Sequence, residues 1–205
     1  NTIPLLGRSG AVPIHWSANF DEVQDFENDV RGPMQGLGFL EDVDWDEASD
    51  TLGPSKAGRS EDLDALAAYV ESLDRHLRSP YRAADGSLTA EALAGEAVFL
   101  AAGCDGCHGG PDLTDSAFLS PGVPLLHDVG TLGPGSGGRL GGALDGIDTP
   151  TLRGVWSSGP WLHDGSAATL REVLVDRNDA DLHGVTSGLT AGEIDQLVAF
   201  LNQLE

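Results

Sequence analysis

The sequence predicts a mainly α-helical chain with long loops and almost no strand. Three observations carry this. Apolar residues recur at helical spacing near 60–73, 89–101, 168–176 and 190–204. No stretch shows sustained two-residue alternation, and 130–146 is glycine-rich, contains Pro134 and has no apolar period. Apolar residues make up 40% of the chain, enough to build a core.

Taken in order, the segment at 60–73 places Leu63, Leu66, Tyr69, Val70 and Leu73 at helical intervals. The segment at 89–101 opens on Thr89, with Glu91 behind it, and carries Leu93, Val98 and Phe99 on one face. A shorter helix at 168–176 has Ser166 or Thr169 as its cap. The last helix, 190–204, begins with Thr190 and Glu193. It lays Ile194, Leu197, Val198, Leu201 and Leu204 along a stripe. Gly95 and Phe99 on one helix and Phe200 on the other suit a close crossing of the two.

Between the helix at 89–101 and the glycine-rich loop stands Gly103-Cys104-Asp105-Gly106-Cys107-His108-Gly109. C-x-x-C-H is the attachment string of c-type haem. Two thioethers reach the two vinyl edges of one porphyrin, and the next residue presents its imidazole to the iron. Three readings compete. A thioredoxin-type C-x-x-C belongs in a βαβ setting, which the helical surroundings do not offer. A structural zinc site wants four ligands, and Cys104 and Cys107 are the only cysteines. A disulfide between them would leave the following His108 to chance. With haem c, the order helix, haem motif, long loop, helix is the build of a small cytochrome c, with the porphyrin supplying much of the core. Haem is attached outside the cytoplasm, which places the protein in the periplasm or beyond.

A repeat signal precedes this domain. Pro4-Leu5-Leu6-Gly7-Arg8, then Pro13-Ile14-His15 and Phe20-Asp21-Glu22-Val23, parallels Pro150-Thr151-Leu152-Arg153-Gly154, then Pro160-Trp161-Leu162-His163 and Leu170-Arg171-Glu172-Val173. The helix at 60–73 matches the one at 190–204 at a constant offset of 131 residues. Amphipathic helices resembling one another is the plainer account, but the shared order of both features favours duplication. Residues 1–79 then read as a half-domain without a haem motif, the tail of an upstream domain. Residues 80–86 are a linker, and 87–205 form a c-type cytochrome domain.

The chain resembles the bacterial di-haem cytochrome c peroxidases and their relative, the maturation enzyme of methylamine dehydrogenase. The likeness rests on residues 103–114, on Asp148-Thr149-Pro150-Thr151-Leu152-Arg153-Gly154-Val155-Trp156, and on Gly159-Pro160-Trp161-Leu162-His163-Asp164-Gly165-Ser166-Ala167-Ala168-Thr169-Leu170. It covers 87–205 well and 1–79 weakly. It implies tandem cytochrome domains, with an electron-transfer haem held by His and Met. This sequence departs there, because its single methionine is Met34, in the first copy. His15 to Met34 spans 19 residues and His163 to His183 spans 20, so Met34 and His183 occupy nearly equivalent places. His108 and His183 are therefore the expected axial ligands of a bis-His haem, with potential below that of a His/Met pair. His163 and then His127 are the runners-up, and Met34 would serve an upstream haem. His163 suits bracing a loop or a propionate better than binding iron; a solvated loop residue is the competing reading of His183, and core packing that of Met34. Arg153 is assigned to a haem propionate, with a surface role as the competing reading. Trp161 is assigned to the haem pocket. Trp16, Trp156 and Trp161 suit an electron path or plain packing. His15 and His76 are read as structural or solvated.

The charge narrows the partners. Eleven basic and 33 acidic residues give a net charge of −22, which excludes nucleic acid and an anionic membrane as partners. No apolar run is long enough for a transmembrane helix. The expected partner is a redox protein with a basic docking face, or other domains of a larger cytochrome assembly. The expected function is electron transfer through one covalent haem c. The alternative is the catalytic portion of a di-haem peroxidase-like oxidoreductase, for which no catalytic residue can be named. The resemblance also allows calcium, for which the acidic run 41–50 is the candidate. That run lacks EF-hand spacing, and a solvated loop is preferred.

Overall fold

The computed structural model describes residues 12–75 and 77–205. The first stretch of the repeat, up to residue 11, and His76 lie outside the described residues. Six helices follow in order: α1 (Phe26–Arg31), α2 (Asp42–Ala48), α3 (Glu61–Glu71), α4 (Ala90–Ala101), α5 (Leu170–Leu174) and α6 (Ala191–Leu201). Two antiparallel hairpins, β1 (Phe118–Ser120) with β2 (Val123–Pro124) and β3 (Gly138–Arg139) with β4 (Gly142–Ala143), are the strand content of the described residues. The second hairpin lies within 130–146, so that glycine-rich stretch is not wholly irregular.

Hydroxyls start the helices. Ser60, Thr89, Thr169 and Thr190 accept from the backbone N–H of Leu63, Ala92, Glu172 and Glu193, satisfying donors that the first turn leaves unpaired. Glu193 reaches back to the Thr190 N–H, which completes a capping box. Of the two candidate caps for α5, Thr169 serves.

Helices α4 and α6 form the main contact of the fold. Gly95 makes it close, because a Cβ there would enter the Gln196 carbonyl and meet the Phe200 Cβ at 2.9 Å. One turn on, the Phe99 and Phe200 rings meet edge-on at 5.3 Å. Around this crossing, Val98, Leu170, Leu174, Ile194, Leu197, Leu201 and Leu204 are buried. Leu93 departs from the expected pattern and is 54% exposed. Helix α4 carries apolar residues all round, so composition could not say which of them face inward.

The first unit is knit by charges rather than by a large apolar core. Lys56, the single lysine, is fully buried, 2.6 Å from Asp25 and 3.2 Å from the Asp50 carbonyl. Burial nevertheless pushes the Asp25 carboxyl up to about 6. Glu27, also fully buried, accepts from the N–H groups of Phe39 and Leu40 and from Arg31 Nε.

One turn geometry occurs twice in the chain. Ile14 bridges Phe20, and Trp161 bridges Ala167, at a constant offset of 147 residues. Within each turn the Ala18 N–H donates to His15 O at 3.0 Å, and the Gly165 N–H to Leu162 O at 3.1 Å. Left-handed backbone recurs at His15 and Leu162 (φ 71° and 67°) and at Ala18 and Gly165 (φ 49° and 69°). Spatially, therefore, His15 corresponds to Leu162 and Trp16 to His163, one residue from the pairing that the sequence suggests. The two units touch there: the Asp148 N–H donates to Trp16 O at 2.8 Å, and Arg139 Nε donates to Ser17 O at 2.9 Å.

The 80–86 stretch is docked rather than free. Arg82 donates to Gln203 O at 2.8 Å, beside Ser79, which donates to Asn202 O at 2.5 Å. Both tie it to the end of α6.

Candidate haem site

Helix α4 ends at Ala101, and Gly103, in left-handed backbone at φ 75°, turns the chain into a short 3-10 segment carrying Cys104. Cys104, Cys107 and His108 line a cavity of about 300 Å³. Its walls are chiefly apolar and come from α4, α5, α6 and the loops between them: Phe99, Val155, Trp161, Leu174, Leu197 and Leu201. His127, Asp148, Thr149, Thr151 and Arg153 add polar groups, and Trp16 reaches in from the first unit.

His108 is buried, and its Nδ1 lies 3.3 Å from the Leu113 carbonyl. That contact favours the Nδ1–H tautomer and leaves Nε2 as the coordinating nitrogen. Burial, with His183 nearby, pushes the His108 imidazole down to about 4. Burial lowers His183 as well. Both rings are therefore neutral at pH 7, the form that binds a metal.

The His108 and His183 ring centres lie 6.2 Å apart, with the planes inclined at 45°. An iron between two imidazoles needs about 2 Å to each nitrogen and about 1.1 Å from each nitrogen to its ring centre, or about 6.2 Å in total. Gly184, beside His183, would place a Cβ 3.5 Å from Cys104 Sγ, so the His183 loop lies against the first cysteine.

The other candidates are placed differently. His163 is buried outside the cavity, with Nδ1 at 3.2 Å from Thr131 Oγ1 and Nε2 at 2.9 Å from Ser136 Oγ, so it braces the glycine-rich loop. His127 stands in the cavity wall, but its Nε2 is 2.8 Å from Asp115 Oδ2. Trp161 lines the cavity and donates its indole N–H to Val155 O at 3.0 Å. Trp156 packs instead against Tyr81, at 6.4 Å between ring centres. Arg153 lines the cavity while donating to Glu205 O at 2.9 Å, with Asp112 at 3.4 Å. Met34 is 69% exposed on the first unit. The acids of 41–50 fan out along α2, where Asp42 meets Arg31 and both Asp44 and Glu47 meet Arg59. Among the described residues, that run gathers no three ligand atoms; only Cys107, Asp115 and His127 do so.

The chemistry of the cysteines speaks against the redox-active C-x-x-C reading. Burial, reinforced by Asp105, pushes the Cys104 thiol up to about 11, and burial also raises Cys107. A redox-active C-x-x-C does the reverse and depresses a thiol to hold it as thiolate.

Comparison with known proteins agrees. Residues 146–180 match the family model described as RoxA-like, cytochrome c-like. The gamma subunit of hydrazine synthase from Kuenenia stuttgartiensis is 34% identical over 180 residues, covering 69% of this chain and 48% of that protein. A cytochrome c551 peroxidase from Pseudomonas aeruginosa is 26% identical over 161 residues, covering 73% of this chain and 46% of that protein. The chain belongs to the di-haem cytochrome c peroxidase family.

The regular structure of this cytochrome c-like chain is mainly helical, with six α-helices among the described residues. A solved structure of hydrazine synthase from Kuenenia stuttgartiensis superposes with a TM-score of 0.53 at 32% identity, covering 69% of this chain and 55% of that one. The chain spans about half the length of the curated relatives it matches. The family implies haem c, and the donor set fits it: two adjacent thiols, a neutral imidazole beside them, and an apolar cavity faced by a second neutral imidazole. No helix among the described residues is long and apolar enough to cross a membrane.

Proposed function

We propose that this chain is an electron-transfer module that holds one haem c through Cys104 and Cys107, with His108 and His183 as axial ligands. The observation that carries this reading is the pair of neutral imidazoles, His108 and His183, with ring centres 6.2 Å apart in the wall of one largely apolar cavity. When bound, the haem supplies a one-electron Fe(III)/Fe(II) couple. The chain's residues do the rest. Leu113 O orients the His108 ring; Phe99, Leu197 and Leu201 exclude water; and Arg153, on the cavity rim, offers a guanidinium to a propionate. A site that excludes water and holds both imidazoles in place would favour electron transfer over the binding of external ligands. Pyridine haemochrome with intact mass is expected to give one covalent haem per chain, lost when Cys104 and Cys107 are both replaced by Ala. Two haems, or none, would overturn the reading.

The first unit is read as the tail of a further cytochrome domain whose haem-bearing part lies outside these 205 residues. On α3, Leu66 and Tyr69 are 37% and 64% exposed, whereas their counterparts Leu197 and Phe200 are buried. In the second unit α4 and the cavity cover that face, so a haem-bearing helix is the matching occupant, with exposed Met34 offered to its iron. Kinship with the peroxidases favours a second reading, in which the assembled protein is an enzyme. Peroxide turnover with a reduced donor would move the assignment there.

Outside the cytoplasm, where haem is attached, a net charge of −22 suits a redox partner with a basic face. Raising ionic strength from about 0.01 M to about 0.15 M shortens the screening length from about 30 Å to about 8 Å. Electron exchange with a basic mono-haem cytochrome, followed by stopped flow, is expected to slow by about tenfold or more. A flat response would reduce the acidity to a solubility trait.

A further inference from the structure

We infer that Asn178 is the positioning residue for His183, and that with Thr186 it converts an irregular loop into a rigid bracket for the second axial ligand. The inference rests on the His183 assignment above. The two imidazoles are held by different means. The His108 ring is oriented by its own contact with Leu113 O. Among the described residues, the His183 ring makes no hydrogen bond, so its placement depends on its backbone.

Asn178 holds that backbone from both sides. It is buried, and its Oδ1 accepts the His183 N–H at 2.8 Å. Its Nδ2 faces His183 O at 3.2 Å, Gly184 O at 2.9 Å and Thr186 Oγ1 at 2.8 Å. Thr186 Oγ1 donates onward to Leu174 O at 2.7 Å, at the end of α5. Leu174 itself lines the cavity. An unbroken chain of hydrogen bonds thus runs from a helix of the core to both peptide groups of His183. On the outer side, Asp181, in left-handed backbone at φ 54°, accepts the N–H groups of Thr186 and Ser187 at 2.8 and 2.9 Å.

The position requires an amide. One end must accept an N–H and the other must donate to carbonyls within the same turn. A carboxylate lacks the donors, and an apolar residue lacks both. A ligand carried on a loop stays bound only if the entropy of the free loop is removed beforehand. Asn178 removes it.

The test follows the binding of carbon monoxide to the ferrous haem-loaded chain, which must wait for His183 to leave. Asn178→Ala is expected to speed binding about tenfold, Asn178→Asp to fall between that and the unaltered chain, and His183→Ala to be fastest. Phe200→Leu, which loosens the α4–α6 crossing without touching the bracket, is expected to lower the melting temperature and leave the rate unchanged. If His183→Ala opens the iron while both Asn178 variants stay within about twofold of the unaltered chain, the positioning role is wrong and the ligand assignment stands. If His183→Ala opens nothing, the ligand assignment itself falls. Should Asn178→Ala fail to fold, the isosteric Asn178→Asp decides.

Discussion

His183→Ala is expected to convert a closed, six-coordinate low-spin haem into one that binds carbon monoxide and cyanide. The reason is geometric: the His183 and His108 ring centres stand at the separation a shared iron would require. If the state with His183 detached is populated at about 1% in the unaltered chain, an external ligand pays for that rarity with about a hundredfold in apparent affinity. Removing the imidazole removes the penalty. His183→Met should keep the haem closed but raise its midpoint potential, because a thioether stabilises the reduced iron relative to imidazole. The optical spectrum checks the first and a redox titration the second. An unaltered six-coordinate spectrum in His183→Ala would sink the assignment.

Gly95→Ala carries the other large effect, and its sign is the informative part. In an exposed helix, replacing Gly with Ala gains about 1 kcal/mol. At Gly95 the new Cβ would enter the Gln196 carbonyl and press on Phe200, so α4 and α6 must separate. Forced overpacking costs about 1–3 kcal/mol in a well-filled core. Here the obstacle is backbone, which cannot rotate away, so the upper end applies and the net change is a loss of about 2 kcal/mol. Gly95→Val goes further. Because Phe99, Leu197 and Leu201 of the same helices line the cavity, haem retention falls with stability. Gly192, in α6, has open space within 4 Å of where a Cβ would stand, and Gly192→Ala is the matched control with no loss. Guanidinium denaturation of the two haem-loaded variants reads the contrast. Equal midpoints would mean that the crossing is not close-packed.

Much of this was legible in the residues. The caps Thr89, Thr169 and Thr190 each stand where a hydroxyl precedes an apolar period, because capping is decided within four residues. Legibility failed where packing, rather than local propensity, decides. The apolar period turns Leu93 inward, yet it stands outward, on the side of α4 that also carries Glu96, because the contact with α6 takes the face of Gly95 and Phe99. The register between the two similar turns was not readable either. Matching letters align His15 with His163, whereas the equal offset of the Ile14–Phe20 and Trp161–Ala167 bridges aligns Trp16 with His163. Asn178 was not legible. The one signal for it is an asparagine five residues before a candidate ligand in an acidic loop, and a hydrogen-bond network has no sequence period.

The sequence by itself determined where a haem would be tied. Cys104, Cys107 and His108 lie within one five-residue string, so their chemistry needs no distant partner to be recognised. It also set the helical order and the charge of −22. Only the tertiary structure decided which of the remaining histidines meets His108. His127 turns to Asp115, His163 to Thr131 and Ser136, and of these His183 alone sets its ring beside that of His108, at 6.2 Å between centres. The physical reason is that a second ligand about 75 residues away is brought in by loop closure, and loop closure is fixed by the packing of α5 and by Asn178, not by the spacing of letters.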